Sequence, residues 1–295
     1  MCKYELAAKA HKNVYGKELS SDKIKAEVME KVNKSKGTLA EITESGAFVE
    51  WLKEMKLLEE YKKLKKENNN GGKMDFVEKN LGMPDIMEIY GETRSLKTFT
   101  AYKFAVEKAK AGKKVMYIDT ERNMTKEQIK ELKDVGCGYA CIINFDKLVN
   151  FITSKLPKGY NYLVLDSVGL PALGKFAVSS MHGKGQVLLN VQAILYALKD
   201  YCVENDCYAL VTNQPTSEMN KTEYFTYNGK KHIELTPFGD KGSFFVKEIY
   251  RAIPVRRTQS ETVVDLVAWG SRIYPKYKPV VRLVRKGTNL EVKAL

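Results

Sequence analysis

Between Ile86 and Ala109 the chain passes from a short, mostly apolar run (Ile86 to Tyr90) through the polar turn Gly91-Glu-Thr-Arg-Ser-Leu-Lys-Thr98 into a stretch with helical periodicity, Phe99 to Ala109. Strand, loop and helix in that order constrain the fold more than any other segment. A glycine with Lys97-Thr98 at this spacing matches a loop whose backbone N–H groups wrap phosphates. In such a loop the lysine reaches the β and γ oxygens and the hydroxyl helps to hold magnesium. The helix that follows adds unpaired N–H groups and a positive dipole end, both favourable to a triphosphate. One residue departs from the pattern, Leu96, where a glycine is expected. If that position needs a positive φ, leucine costs about 1 to 2 kcal/mol there, which is roughly tenfold in affinity. Without its flanks the same turn reads as an ordinary surface loop; the strand before it and the helix after it favour the phosphate site.

The rest of the chain from Met74 onward repeats this alternation. Val115–Asp119, Tyr162–Asp166 and Tyr208–Thr212 are buried-type strands, while Lys126 to Lys133, opened by the capping box Thr125-Lys-Glu-Gln128, and Val187 to Tyr201 are helical. Alternating strands and helices predict an α/β domain with a mainly parallel twisted sheet covered on both faces, its ligands at the carboxyl ends of the strands. Two strands end in carboxylates beside further polar residues: Asp119-Thr-Glu121 and Asp166-Ser167. Asp166 is the candidate magnesium ligand, through water and together with Thr98, and Glu121 the candidate general base for water attack, with Lys97 the charge partner of the phosphates. Gln214, after the third strand, is positioned to read a γ-phosphate and to move the segment behind it. Taken singly, each acid is equally a solvated strand end; as a set with the Gly91 loop they form a nucleotide site.

Residues 1–67 differ in kind. Leu39, Ile42, Phe48, Trp51, Leu52, Met55, Leu57 and Leu58 recur at largely helical intervals, and Ser20 or Ser21 is a candidate N-cap, which predicts a helical domain of two or three helices. A packing or partner-docking role is the expectation for such a unit, ahead of DNA binding. Residues 68–73, beginning Asn68-Asn-Asn-Gly-Gly72, read as a linker, so the expected division is 1–67 helical, 68–73 linker and 74–295 α/β.

Of the 295 residues 44% are hydrophobic and 29% charged, ordinary for a folded soluble protein, and no apolar run or signal segment points to a membrane. Five cysteines at irregular spacing give no disulfide framework and fit reduced thiols in a cytoplasm. The formal net charge of +13 is uneven: residues 241–295 hold 12 Lys/Arg against 4 Asp/Glu. That surplus favours a polyanion partner, nucleic acid in the first place, or is a solubilising lysine surface. The segment Thr216 to Thr236 interleaves lysines with aromatics, namely Lys221, Tyr224, Phe225, Tyr227, Lys230 and Lys231. Lys221, Tyr224, Phe225, Lys230 and Lys231 are the candidate DNA contacts, in a groove that follows a backbone while rings stack on bases; an ordinary long hairpin is the alternative.

Tyr90-Gly-Glu with Lys97-Thr98, Tyr117-Ile-Asp-Thr-Glu121, Leu163-Val-Leu-Asp-Ser167 and Leu210-Val-Thr-Asn-Gln214, in that order, resemble the ATPase core of the RecA/RadA recombinase family, in particular its archaeal RadA and RadB-type members. The resemblance covers roughly residues 74–257. It implies a RecA-type P-loop core, with Gly91, Glu92, Thr93, Arg94, Ser95, Leu96, Lys97, Thr98 and Gln214 around ATP and Mg2+. It also implies Glu121 as the residue that activates water, and two loops facing single-stranded DNA, about Gly169 to Gln186 and Thr216 to Thr236. Pro237-Phe-Gly-Asp240 stands where the family has a glycine-rich turn before its next strand. Where archaeal members carry an arginine that stacks on adenine, this chain has Thr125 or Gln128, with Arg122 as the nearby arginine. The linker has no Phe-x-x-Ala segment of the kind that docks one filament subunit on the next. Together these features point to an accessory paralogue in recombination or repair, working with a recombinase or as a homo-oligomer. Two alternatives use the same residues: a DNA- or recombinase-binding module with little or no hydrolysis, and a regulatory ATPase of this fold that does not use DNA.

Overall fold

A computed structural model describes residues 3–15, 19–35, 44–61, 74–216 and 224–295. Two compact units are present, Met1–Lys73 and Met74–Leu295. In the first, α1 (Lys3–Tyr15), α2 (Ser21–Ser35) and α3 (Glu44–Glu54) enclose a small core of Tyr4, Ile24, Val28, Phe48, Trp51 and Leu52. Ser20 caps α2, its Oγ accepting the Lys23 N–H at 3.2 Å. The expected linker lies outside the described residues.

The second unit is built on one nine-stranded sheet. Its strands are β1 (Ile86–Tyr90), β2 (Val115–Asp119), β3 (Gly138–Cys141), β4 (Tyr162–Asp166), β5 (Tyr208–Asn213), β10 (Glu248–Arg257), β11 (Thr262–Ser271), β12 (Pro279–Lys286) and β13 (Asn289–Ala294), in the order β13-β12-β11-β10-β1-β5-β4-β2-β3. From β10 to β3 all pairings are parallel, and β11 to β13 extend the sheet antiparallel. Strands β1, β2 and β4 are buried along their whole length, which is why their sequences are mostly apolar rather than alternating, with Glu88 inside β1 and Asp119 and Asp166 closing β2 and β4 as the acidic exceptions. Helices α4 (Phe76–Leu81), α5 (Lys97–Lys110), α6 (Lys126–Asp134), α7 (Phe145–Asn150), α8 (Gly169–Val178) and α9 (Met181–Asn205) accompany it. Two large apolar clusters fill the unit, one containing Phe104 of α5 and the other Ile194 and Leu198 of α9. The expected α/β class with a mainly parallel sheet and flanking helices is therefore the one observed.

Two expectations change. Gly169 to Gln186, expected as a loop, is helical except for the break at Ser179-Ser180: the Ser167 hydroxyl accepts the Leu170 N–H at 3.2 Å at the start of α8, and Ser180 caps α9 by accepting the Gly183 N–H at 3.3 Å. The segment after Gln214 forms two small sheets, β6 (Pro215–Thr216) with β9 (Thr236–Pro237), and the hairpin β7 (Tyr224–Tyr227) with β8 (Lys230–Ile233). Its turn, Asn228-Gly229, has φ of 49° and 70°, the left-handed pair that a two-residue hairpin turn demands. Among the described residues no helix is long and apolar enough to cross a membrane, and Cys137, Cys141, Cys202 and Cys207 are free thiols.

Candidate nucleotide site

The sheet brings the carboxyl ends of β1, β5, β4 and β2 side by side, and the polar residues that follow them meet there. After β1 the chain turns through Gly91, where a Cβ would lie 2.7 Å from the Ala252 carbonyl oxygen, so close approach to β10 requires glycine. Leu96 takes φ 62° and ψ 9° immediately before α5, and Arg94 also has a positive φ, 67°. The leucine therefore occupies the left-handed conformation for which a glycine is expected. Its side chain is buried against the α5 core.

Lys97 is the first residue of α5, and its ammonium donates to the carbonyls of Gly91 (2.6 Å) and Glu92 (2.9 Å). Burial depresses its pKa, and Glu121, Asp166 and Glu92 oppose that effect. Thr98 points at β4: its Oγ1 donates to Asp166 Oδ1 at 3.2 Å. Asp166 also accepts from the Tyr117 hydroxyl (2.8 Å) and from Thr212. Burial pushes its carboxyl up to about 6, hydrogen bonds from Thr212, Tyr117 and Thr98 pull it back, and the Glu121 charge adds to the rise. A hydroxyl next to a buried carboxylate is a hard-oxygen set suited to magnesium. No group of three or more His, Cys, Asp or Glu among the described residues could hold a metal alone. Such a pair fits a magnesium ion that keeps most of its water and phosphate ligands.

Glu121 stands beyond β2 because Asp119 is consumed in making the turn. Asp119 Oδ1 accepts the N–H groups of Glu121 (3.0 Å) and Arg122 (2.7 Å), and Oδ2 accepts the Tyr139 hydroxyl (2.8 Å). Three side chains then fix the Glu121 carboxylate: Ser167 Oγ at 2.5 Å and Gln214 Nε2 at 3.0 Å on Oε1, and Asn123 Nδ2 at 2.7 Å on Oε2. Gln214 is steered by Asn213, whose Oδ1 accepts the Gln214 N–H at 2.7 Å and whose Nδ2 donates to the buried Glu88 at 2.6 Å. Glu88, Asn213, Gln214 and Glu121 thus form one continuous hydrogen-bonded line across three strands.

Glu92, Thr93, Arg94, Ser95, Leu96, Lys97, Thr98, Glu121 and Gln214 line one open cavity of about 1110 Å³, joined by Thr125, Gln128, Arg257, Thr262 and Arg285. Gly91 and Asp166 stand directly behind this wall, through Lys97 and Thr98. Thr125 and Gln128 cap α6 reciprocally (2.9 and 3.3 Å), which engages Gln128 Oε1 and Thr125 Oγ1, and Arg122 is not in the cavity wall. Ser167, Asn123, Tyr117 and Thr212 are supporting residues to which sequence reasoning gave no role; a threonine at the end of the apolar run Ala209-Leu-Val211 was the available signal. Arg257, Thr262 and Arg285 carried no signal, because hairpins distant in sequence deliver them.

The candidate DNA contacts divide. Tyr224 is half exposed with the Lys231 ammonium 4.0 Å from its ring, and Lys230 and Lys231 are exposed. Phe225 points the other way, buried, with its ring 4.3 Å from that of Tyr277 at 7° and the Arg251 guanidinium 5.1 Å from it, so it is a packing residue rather than a stacking platform. Alternation along β7 makes this unavoidable, since Phe225 and Tyr227 share the inward face. Lys221 lies outside the described residues.

No protein-family model matches the chain. An 86-residue stretch, 28% of the chain, is 48% identical to the uncharacterized protein MJ0352 of Methanocaldococcus jannaschii. That match spans 35% of the archaeal protein. The crystal structure of the RadB recombinase superposes on 73% of this chain and 95% of its own length, with a TM-score of 0.52 and 17% sequence identity. At that identity the likeness speaks for the fold alone: this chain shares the α/β architecture of that structure.

Proposed function

We propose that this chain binds ATP with magnesium at the Gly91 loop and hydrolyses it in a DNA-stimulated manner, as an accessory member of the RecA/RadA family in recombination or repair, in the cytoplasm. The observation that carries this reading is the convergence of Lys97, Thr98, Asp166, Glu121 and Gln214 on one site at the carboxyl ends of adjacent strands. In this reading the loop from Gly91 to Thr98 wraps the phosphates and Lys97 neutralises the β and γ oxygens. Thr98 and Asp166 are the residues that would hold the metal. Magnesium, when bound, supplies charge neutralisation of the β- and γ-phosphate oxygens. Glu121, held by Ser167, Asn123 and Gln214, takes the proton of the attacking water, and Gln214 couples that carboxylate to the strand that leads into the Tyr224–Ile233 hairpin. Lys230, Lys231 and Tyr224, with Lys221, supply the contact to single-stranded DNA, and a recombinase or a second copy of the chain is the protein partner.

Leu96 favours one variant of this reading, slow turnover on an intact binding site. Its strained backbone adjoins Lys97, and catalysis is sensitive to misplacement on the scale of about an ångström. The test is phosphate release from ATP with and without single-stranded DNA, for the natural chain, Lys97→Ala and Glu121→Gln. DNA-stimulated release that Lys97→Ala abolishes and Glu121→Gln lowers about a hundredfold is expected. ATP retention without turnover in the natural chain would leave the nucleotide-holding module in its place, and release indifferent to DNA would leave the regulatory ATPase.

A further inference from the structure

The opposite end of the sheet holds a second cavity. Strands β2, β3 and β4 run parallel, so the segments leading into them meet at the amino ends, a strand's length or roughly 17 Å from the nucleotide site. The cavity there is open and about 560 Å³ in volume. Lys114 before β2, Lys133 in the last turn of α6 and Lys158 before β4 stand in its wall, and no acidic residue does. Lys114 and Lys133 have no carboxylate within ion-pair reach among the described residues, and Lys158 meets Glu204 only at 3.9 Å. Exposed lysines elsewhere in this unit, such as Lys110, Lys175 and Lys286, do have acid partners. Gly138 shapes the wall: a Cβ there would lie 2.8 Å from the Tyr160 hydroxyl oxygen, so the missing side chain makes room for the phenol. The Tyr160 N–H is held by Tyr201 at 3.1 Å, while its Oη has no hydrogen-bond partner among the described residues.

We infer that this cavity is a second phosphate-binding site, in which Lys114, Lys133 and Lys158 hold consecutive phosphate groups and the Tyr160 hydroxyl donates to one of them. Three like charges delivered by three separate elements around one concavity focus a positive potential into it. The carbonyls at the end of α6 that would repel an anion are already occupied. Val135 N–H donates to Glu131 (3.1 Å), Gly136 N–H to Lys133 (3.0 Å) and Cys137 N–H to Leu132 (2.9 Å). Those bonds also select the kind of anion. With the N–H groups of Gly136, Cys137, Gly159 and Tyr160 engaged, the wall offers no backbone nest for a single small ion. It offers charge on long stems, which suits a ligand with several phosphates in series. A free oligophosphate and the backbone of a nucleic acid share that chemistry. The inference stands apart from the nucleotide reading, because none of its residues belongs to the Gly91 loop or to the strand ends around it.

The experiment is calorimetric titration of the full-length Lys97→Ala chain, whose nucleotide loop has lost its phosphate charge, with inorganic tripolyphosphate and separately with a short DNA duplex, at about 50 mM salt. Adding Lys114→Ala with Lys133→Ala is expected to weaken tripolyphosphate about tenfold or more. Lys230→Ala with Lys231→Ala removes the same charge from the hairpin and is expected to change it less than about twofold. Tyr160→Phe is expected to weaken it about threefold. Lys114→Arg with Lys133→Arg keeps the charge and should keep binding, which separates loss of the site from loss of the fold. The duplex arm assigns the source. A matching loss of duplex affinity in the alanine pair identifies a nucleic-acid backbone, an unchanged duplex affinity identifies a free oligophosphate, and either result keeps the site. Equal losses from the cavity pair and the hairpin pair would reduce the effect to overall charge and overturn the inference. Tripolyphosphate binding that the cavity pair leaves unchanged, or no tripolyphosphate binding at all, would overturn it too. Because Lys97 is absent throughout, none of these outcomes depends on whether the Gly91 loop binds ATP.

Discussion

Leu96 combines two opposing energies at one residue. A left-handed backbone costs a leucine about 1 to 2 kcal/mol, and burying its side chain returns about 2 kcal/mol, so the two nearly cancel. An ordering follows that reverses the usual rule at the start of a helix: Leu96→Ala keeps the strain and loses the packing, whereas Leu96→Gly loses the packing and the strain together. Thermal unfolding should place the glycine variant above the alanine variant, by about 1 kcal/mol. An alanine variant as stable as the natural chain would show that the leucine side chain contributes nothing. Glu88 is the second informative residue. Burial in β1 pushes its carboxyl up to about 7, opposed by the hydrogen bond from Asn213. Because the folded chain then holds a proton that the unfolded chain has released, stability falls as pH rises from about 4.5 and levels off above about 7. The loss is on the order of 3 kcal/mol. Glu88→Gln keeps an acceptor for Asn213 and removes the titration, so its unfolding curve should match the natural chain at pH 5 and lie well above it at pH 8.5. The same gap at both pH values would mean that Glu88 does not titrate in this range.

The hairpin β7–β8 shows how an element becomes committed to one position. Tyr227 Oη donates to the buried Asp265 at 2.5 Å, and Arg282 grips the same carboxylate through Nε and an Nη at 2.7 and 2.8 Å. Removing the hydroxyl leaves the ion pair intact, whereas removing the guanidinium leaves a buried charge with one donor. Tyr227→Phe should therefore cost about 1 kcal/mol and Arg282→Met about 3 kcal/mol or more in chemical denaturation; equal costs would show that Asp265 does not depend on the guanidinium. This docking was hidden from sequence reasoning because all three partners belong to different elements and Asp265 sits in an apolar strand with no local sign of its partners. Elements whose signal is local were legible. The β2 and β4 runs were delimited to the residue, and the capping box at Thr125 and Gln128 gave the start of α6. Val187 to Tyr201 identified α9 but missed its first turns, because Gly183 and Gly185 argue against a helix that the Ser180 cap secures. In the site, Asp166 and Glu121 announce themselves by following apolar runs and Lys97 and Thr98 by their spacing from Gly91, whereas the approach of Arg285 to Phe99 is a property of packing.

At the scale of the molecule the dominant quantity is charge. The chain carries a net +13, and the basic surplus of residues 241–295 includes Arg257 and Arg285, through which the antiparallel extension of the sheet borders the candidate cavity. The exposed Lys230, Lys231 and Tyr224 of the hairpin belong to the same compact unit. A protein that neutralises about five phosphates of single-stranded DNA releases counterions with a slope near −0.7 per phosphate in log K against log salt. Retention of DNA should accordingly fall about a hundredfold between 50 and 200 mM salt. If the hairpin lysines are among the contacts, replacing Lys230 and Lys231 by alanine should flatten the slope by about 1.4 without altering thermal unfolding, since neither side chain is buried. Salt titrations of DNA binding for the natural chain and the double variant measure both quantities. A flat salt response would remove DNA as the polyanion that the charge attracts. A steep slope left unchanged by the double variant would keep DNA but move its path away from the hairpin, toward the basic ends of β10 and β12, where contact with DNA would compete with the nucleotide for Arg257 and Arg285.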